Sequence, residues 1–141
     1  MDSTDYKILK ILKENGRMSH EEIAKQVNLS RPAVRARIVA LEAKGIILGY
    51  STCIDYDALG YNIQVFVYIK VSKMNYDEIK AGIIDVASEK VVIDELYRIS
   101  GEWCLLLKVM CHSQNDITEF VDEILRIDCV VATNTVFIFK S

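Results

Sequence analysis

Two helix signals follow each other directly in residues 19–45, which read SHEEIAKQVNLSRPAVRARIVALEAKG. Ser19 and Glu22 have the spacing of a capping box, in which each side chain satisfies a backbone N–H near the other and a helix begins. A second helix should begin after Ser30, a good N-cap, and end before Gly45. The apolar residues of this second helix recur at i, i+4 and i+7 and form one buried stripe: Val34, Ile38 and Leu41.

An earlier helix is predicted from about Ser3 to Asn15, with Ser3 or Thr4 as its N-cap. Together with the two helices of the quoted stretch, the first of which should end near Val27, it makes a set of three. Three helices with a turn of about three or four residues between the last two are typical of a helix-turn-helix. In that motif the third helix lies in the major groove of DNA. The sequence therefore predicts a winged-type helix-turn-helix domain over residues 1–50.

The third helix carries arginines on the side that faces away from its apolar stripe. Arg31 and Arg35 should point outward, and a guanidinium fork can pair with guanine O6 and N7. The free backbone N–H groups at the helix start can hold a phosphate, as can Ser30 and Arg37, which otherwise support the helix. The predicted DNA-binding residues are Ser30, Arg31, Pro32, Arg35 and Arg37.

A plain three-helix domain is the alternative, because a charged helix face is usually only a solvated face. His20 stands in the first turn of the second helix, where an ordinary surface position is expected and a phosphate contact is its one functional role. After the third helix, Ile46–Ile54 is predicted to form a strand. Residues 51–61, with Asp55 and Gly60, should connect this domain to a second one.

Residues 62–141 alternate between segments of period 2 and segments of helical period. Strands are predicted over Asn62–Ser72, Val91–Ser100, Trp103–Cys111 and Cys129–Lys140, and helices over Asn75–Ser88 and Ser113–Arg126. Gly101 and Glu102 alone should join the two middle strands as a hairpin. The order predicts a ferredoxin-like βαββαβ sandwich, and the whole chain belongs to the α+β class.

Both faces of the predicted strands are apolar. In Asn62–Ser72 a row of Ile and Val residues occupies one face, and Phe66 and Tyr68 occupy the other. Two helices can cover only one face of such a sheet, so the second apolar face should contact a partner. A two-fold dimer is the simplest solution and would present two helix-turn-helix domains to a palindromic site. The alternative is a monomer that holds a small ligand on this face.

Composition bounds the remaining possibilities. The chain has 141 residues, of which 51% are hydrophobic and 26% charged, as in a globular protein. Residues 1–50 carry a formal charge of +3 and the remainder carries −6, so only the front third suits a polyanion. We expect no membrane span, no secretory signal, a cytoplasmic location and reduced cysteines, with no metal site and no cofactor.

The residues of both parts resemble the Lrp/AsnC family of transcription regulators. In the front part the resemblance rests on Asp5, Ile8-Leu9, Leu12, Arg17, Ala24, Leu29-Ser30, Val34, Arg37, Leu41-Glu42, Gly45-Ile46-Ile47 and Gly49-Tyr50. In the rest of the chain it rests on Asp55, Leu59-Gly60, Tyr97-Arg98-Ile99-Ser100-Gly101, Leu105-Leu106-Leu107, Val130, Thr133 and Thr135. The resemblance implies a sequence-specific regulator that forms dimers, often octamers, and binds an amino acid or related small molecule.

The resemblance also implies an effector site near the hairpin, made of Ser100, Gly101, Glu102, Trp103, Cys104, Thr133 and Thr135. In the family the hairpin usually reads Gly-Asp-Tyr/Phe-Asp, whereas this chain has Cys104 at the second acidic position. A thiol supplies no fixed negative charge for an ammonium unless its pKa is strongly lowered. We therefore expect an altered, weakened or absent response to ordinary amino acids.

Two other functions are alternatives to a sequence-specific transcription regulator. A nucleoid-type architectural protein would bind DNA with little sequence preference. An enzyme is a weaker alternative, based on haem-pathway decarboxylases that resemble the same architecture. The acidic rear part offers a single histidine, His112, and no Ser/His/Asp cluster, Gly-rich phosphate loop or metal-ligand spacing, so we expect no catalysis.

Overall fold

The computed structural model describes residues 1–73 and 75–140, and its contacts divide the chain into two compact units. The front unit is Met1–Cys53 and the rear unit is Ile54–Ser141. The division falls inside the predicted connection 51–61. None of the helices in the described residues has the length and apolar character needed to cross a membrane.

The front unit contains three helices, as predicted: α1 (Ser3–Glu14), α2 (His20–Val27) and α3 (Arg31–Ala43). Ser19 and Ser30 are the N-caps of α2 and α3, also as predicted. The N-cap of α1 is Asp2 rather than Ser3 or Thr4. Asp2 and Asp5 form a reciprocal capping box, and two carboxylates at a helix N-terminus are further favoured by the helix dipole.

The core of the front unit forms where the three helices meet. Its buried members are Ile8, Ile23, Ala24, Val34, Ile38 and Leu41, which include the whole predicted stripe of α3. The left-handed backbone at Asn28 ends α2, and Gly45, with φ +69°, follows α3. Glycine adopts this left-handed conformation without the strain that a β-carbon would cause. Helix α3 therefore ends just before Gly45, as the sequence predicts.

The predicted strand over Ile46–Ile54 does not form. The backbone N–H groups of Ile46 and Ile47 instead donate to the carbonyl of Leu41 at the end of α3. Leu48 is 94% exposed, and the hydroxyl of Tyr50 donates to Glu42 at 2.9 Å. Within the described residues no neighbouring strand pairs with this segment, and an extended segment needs such a partner to become a strand.

The rear unit is a four-stranded antiparallel sheet with two helices, which confirms the ferredoxin-like fold. Its elements are β1 (Ile63–Val71), α4 (Tyr76–Val86), β2 (Val91–Arg98), β3 (Leu105–Cys111), α5 (Gln114–Leu125) and β4 (Val130–Ile138). The strand order is β2-β3-β1-β4. Asn75 and Ser113 are the N-caps of the two helices, and each stands at the first position of a predicted helix range.

The two helices cover one face of the sheet, which we call the helix face. Its core contains Val65, Val67, Ile69, Leu105, Leu107 and Val109 from β1 and β3, and Ile79, Ile83, Ile117, Phe120 and Ile124 from the helices. The opposite surface, which we call the open face, carries the alternate residues of the same strands. Around its centre lie Phe66, Tyr68, Leu106 and Lys108, with Tyr97 and Val136 toward the edges.

The connection between β2 and β3 is longer than the predicted Gly101-Glu102 hairpin. It spans residues 99–104, and β3 begins at Leu105 instead of Trp103. At the base of the connection the N–H of Ile99 donates to the carbonyl of Cys104, and the N–H of Cys104 donates to the carbonyl of Ile69. Gly101 turns the chain here with φ +105°.

Candidate DNA-binding surface and effector region

The outward side of α3 is free of contacts with the core. Arg31, Pro32 and Arg35 are exposed, whereas Val34 and Ile38 on the opposite side are buried. The two arginines are four residues apart, so they lie one helical turn from each other on the same side. This arrangement presents two guanidinium groups along one line of the helix, starting in its first turn.

The start of α3 has fewer free N–H groups than expected. The hydroxyl of Ser30 accepts from the N–H of Ala33 at 3.3 Å, and Pro32 has no N–H to offer. In the first three helical positions, only the N–H of Arg31 therefore remains for a phosphate. The expectation that several free amides hold a phosphate is corrected accordingly, and the hydroxyl of Ser30 keeps its own proton for donation.

Arg37 faces into the front unit instead of outward. Its Nη1 lies 2.9 and 2.8 Å from the two carboxylate oxygens of Asp2 and 2.8 Å from Oδ1 of Asp5. Capping N–H groups, and then Arg37, lower the pKa of both carboxyls, so the pair stays ionised beside the guanidinium. The geometry gives Arg37 a supporting role that ties α3 to the start of α1, and shows no outward-facing phosphate ligand.

A groove of about 270 Å³ lies beside Arg35 of α3. His20, Arg35, Glu42 and Tyr50 are among its lining residues. Tyr50 lies close to Gly16, where an added β-carbon would meet its ring at 3.5 Å. Glu42 and Tyr50 were not candidates from the sequence, because the predicted strand would have carried Tyr50 away from α3.

The loop 99–104 of the rear unit projects from the sheet, with Ser100, Gly101 and Glu102 exposed. Glu102 pairs with Lys70 of β1 at 3.6 Å, and the ring of Trp103 lies 6.2 Å from that of Tyr68. Lys70 and Tyr68 both belong to the open face, so this part of the loop lies toward that side.

The remaining predicted effector residues lie on the other side of the sheet. Thr133 pairs with Ile69, and Thr135 pairs with Val67, so both threonines share the helix face. Cys104 is half-buried and packs against the helix-face core. The structure therefore separates Trp103 from Thr133 and Thr135 within one rear unit.

Thr135 lines a groove of about 340 Å³ between α5 and β4. Its polar lining also includes Gln114, Thr118 and Asp122, and its apolar lining is Ile117, Val121 and Phe137. The three polar residues of α5 recur every four positions and so form one stripe. That stripe was visible in the sequence, but nothing there indicated that it would face β4.

A helix-turn-helix with exposed arginines, joined to a ferredoxin-like domain, defines a two-domain DNA-binding regulator. Residues 1–42 match the model of the AsnC-type helix-turn-helix domain, and residues 64–141 match that of the Lrp/AsnC ligand binding domain. The chain belongs to the Lrp/AsnC family of transcriptional regulators.

Individual relatives agree over nearly the full length. The chain is 29% identical over 140 residues to the transcriptional regulator FL11 of Pyrococcus furiosus, which covers 99% of this chain and 90% of the relative. It is 31% identical to LrpB of Bacillus subtilis over 126 residues, or 89% of this chain and 82% of the relative.

Solved structures of similar proteins also align along the whole chain. The structure of Bacillus subtilis LrpC aligns with a TM-score of 0.86 at 29% identity, covering 100% of this chain and 96% of that one. A transcriptional regulator of Neisseria meningitidis in complex with L-Met aligns with a TM-score of 0.85 at 26% identity, covering 99% and 90%.

Proposed function

We propose that α3 enters the major groove of double-stranded DNA, with Arg31 and Arg35 against base edges. The exposure of these two arginines on one line of α3 carries this proposal. Ser30 and Pro32, at the start of the helix, then approach the phosphate backbone, and Arg37 holds α3 through Asp2 and Asp5. Since the target is chromosomal DNA, we place the protein's action in the cytoplasm.

Replacing Arg35 by alanine should lower affinity for a duplex from the region upstream of the protein's own gene. A bidentate guanine contact contributes about 1–3 kcal/mol of discrimination, so the loss should be about 5-fold to 150-fold. Fluorescence anisotropy with this duplex, and with a random duplex of equal length, measures the change. Affinity for the random duplex should fall much less, because phosphate contacts dominate it.

Arg126→Ala provides a charge-matched control, because Arg126 is an exposed arginine of the rear unit. This variant should bind both duplexes like the unchanged protein. Equal affinity of the unchanged protein for the two duplexes would favour an architectural protein with little sequence preference. An unchanged preference in Arg35→Ala would contradict the assigned base contact while leaving the protein a regulator.

We propose that the protein forms dimers through the open face, and that dimers can assemble further into octamers. Phe66, Tyr68 and Leu106 form an apolar centre on this face, and Tyr97 and Val136 expose further apolar area near its edges. Pairing two copies would remove this surface from water and supply two helix-turn-helix units for a palindromic site.

We also propose that a small effector with an ammonium group, such as an amino acid, binds in the groove between α5 and β4. Asp122 offers the carboxylate that Cys104 does not offer at the loop, and Thr135 and Thr118 offer hydroxyl groups. The apolar lining suits an aliphatic side chain. The L-Met complex of the Neisseria meningitidis relative supports this class of ligand.

Isothermal titration against the twenty amino acids should identify a ligand whose affinity depends on Asp122. Asp122→Asn should weaken its binding by at least about tenfold, since hydrogen bonds to charged groups contribute about 1.5–3 kcal/mol. Glu102→Gln, in the loop, is the matched control and should leave the affinity unchanged. If Glu102→Gln weakens binding and Asp122→Asn does not, the effector site lies at the loop 99–104. If no amino acid binds, the result supports the absent response that Cys104 predicts.

A further inference from the structure

An extra residue interrupts the pairing of β2 with β3. Ile93 pairs with Val109, and Glu95 pairs with Lys108, so Asp94 is inserted between them as a β-bulge. A bulge sets two residues of one strand against a single residue of its neighbour. Here it sets two carboxylates, those of Asp94 and Glu95, against Lys108.

The two carboxylates of the bulge differ in their distance from Lys108. Oδ2 of Asp94 lies 3.2 Å from Nζ of Lys108, with 32% and 30% of their side chains exposed. Glu95 stands two positions before Tyr97 on β2, and its carboxylate raises the pKa of the Tyr97 hydroxyl. Among the described residues, Asp94 is the carboxylate within ion-pair distance of Lys108.

Lys108 occupies the middle of the open face. It lies on the inner strand β3 and pairs directly with Phe66 on the other inner strand, β1. On the β1 side its neighbours on this face are mostly apolar: Leu106 and Tyr68 form the adjacent pair in one direction, and Met110 and Gln64 form the pair in the other. An ammonium group here would be covered by any partner that covers Phe66.

We propose that the bulge at Asp94 is the device that allows two copies of this open face to meet, because it neutralises Lys108 within each copy. The inference rests on the proposed dimer. A two-fold contact through the same patch of both copies would cover an unneutralised Lys108 ammonium in each copy. Covering an unpaired charge is strongly unfavourable, whereas an ion pair with its hydrogen bond is tolerated.

The charges of the open face support a second copy as the occupant. Positive groups (Lys70 and Lys108) and negative groups (Asp94, Glu95 and Glu102) are nearly balanced on or beside it. A strongly basic or strongly acidic partner would find no complementary field on such a surface. A like surface, with its own charges already paired, meets no net repulsion.

The test is a variant that neutralises the bulge, Asp94→Asn with Glu95→Gln, so that Glu95 cannot replace Asp94. Sedimentation equilibrium of the full chain should show a dimer dissociation constant raised by about thirtyfold or more. Adding Lys108→Met to the same variant should restore dimerisation, because no buried charge then remains.

Asp85→Asn, on the exposed side of α4, is the matched control and should dimerise like the unchanged protein. An unaltered dissociation constant in the neutralised-bulge variant, or no rescue by Lys108→Met, would overturn the inference. A second variant, Phe66→Asp, tests whether the open face is the dimer interface at all, independently of the role of Asp94. If Phe66→Asp splits the dimer and the bulge variant does not, the open face is the interface and only the role of Asp94 is wrong.

Discussion

Replacing Ile8 by alanine should unfold the front unit and abolish DNA binding. Ile8 is fully buried, at 0% exposure, among the three helices of this unit. Truncating such a side chain costs about 2–5 kcal/mol, because transfer energy is lost and a cavity is left. A core in a domain of fewer than about 70 residues rarely supplies more than about 3–5 kcal/mol. The front unit therefore has little stability left after this change.

The single tryptophan makes this prediction specific to one unit. Trp103 lies in the rear unit, so its fluorescence follows the unfolding of that unit, whereas circular dichroism follows the helices of both. When Ile8→Ala is unfolded, the circular dichroism should lack the transition of the front-unit helices. The midpoint of the fluorescence transition, which reports the rear unit, should not change. Tyr6→Ala, two residues away and 64% exposed, is the control and should change neither. A fluorescence transition that shifts with Ile8→Ala would show that the rear unit does not unfold separately from the front unit.

Local signals predicted most of the helix boundaries, and residues far apart in sequence explain the main errors. Ser19, Ser30 and Ser113 act on N–H groups three positions away, so their spacing is visible in the sequence. Arg37 meets Asp2 across 35 positions, and no period or motif in the sequence joins them. The outward arginines were found because Val34 and Ile38 fix which side of α3 is buried.

In the effector region, too, contacts between residues far apart in sequence decided what the sequence could not predict. Thr133 and Thr135 were grouped with the loop by resemblance alone, since sequence alternation does not tell which face of β4 receives a given residue. The antiparallel pairing with Ile69 and Val67 decides this, and it sets both threonines on the helix face. The bulge at Asp94 shifted the alternation within β2 in a way that an uninterrupted period-2 pattern could not predict.

Phe66→Asp should separate the proposed dimer into single chains. Phe66 is half-buried at the centre of the open face, opposite Lys108, whose ammonium already pairs with Asp94. A two-fold contact would therefore bury one uncompensated carboxylate in each copy. The penalty for covering an unpaired ion is several kcal/mol, and it applies to both copies. The dissociation constant should therefore rise by at least about a thousandfold. Light scattering at increasing protein concentration measures it and also distinguishes dimers from octamers.

The same substitution at Phe139 tests whether a new charge alone has this effect. Phe139 is 88% exposed and lies just beyond β4, so Phe139→Asp should keep the assembly intact. Trp103 fluorescence should show that both variants keep a folded rear unit, because Phe66 is not part of the helix-face core.

Single chains of Phe66→Asp should still bind DNA through α3, but with the affinity of one half-site, since the second helix-turn-helix is no longer attached. An assembly that survives Phe66→Asp would show that the open face is not the surface through which copies meet, and the two-site recognition of DNA would then need a different contact.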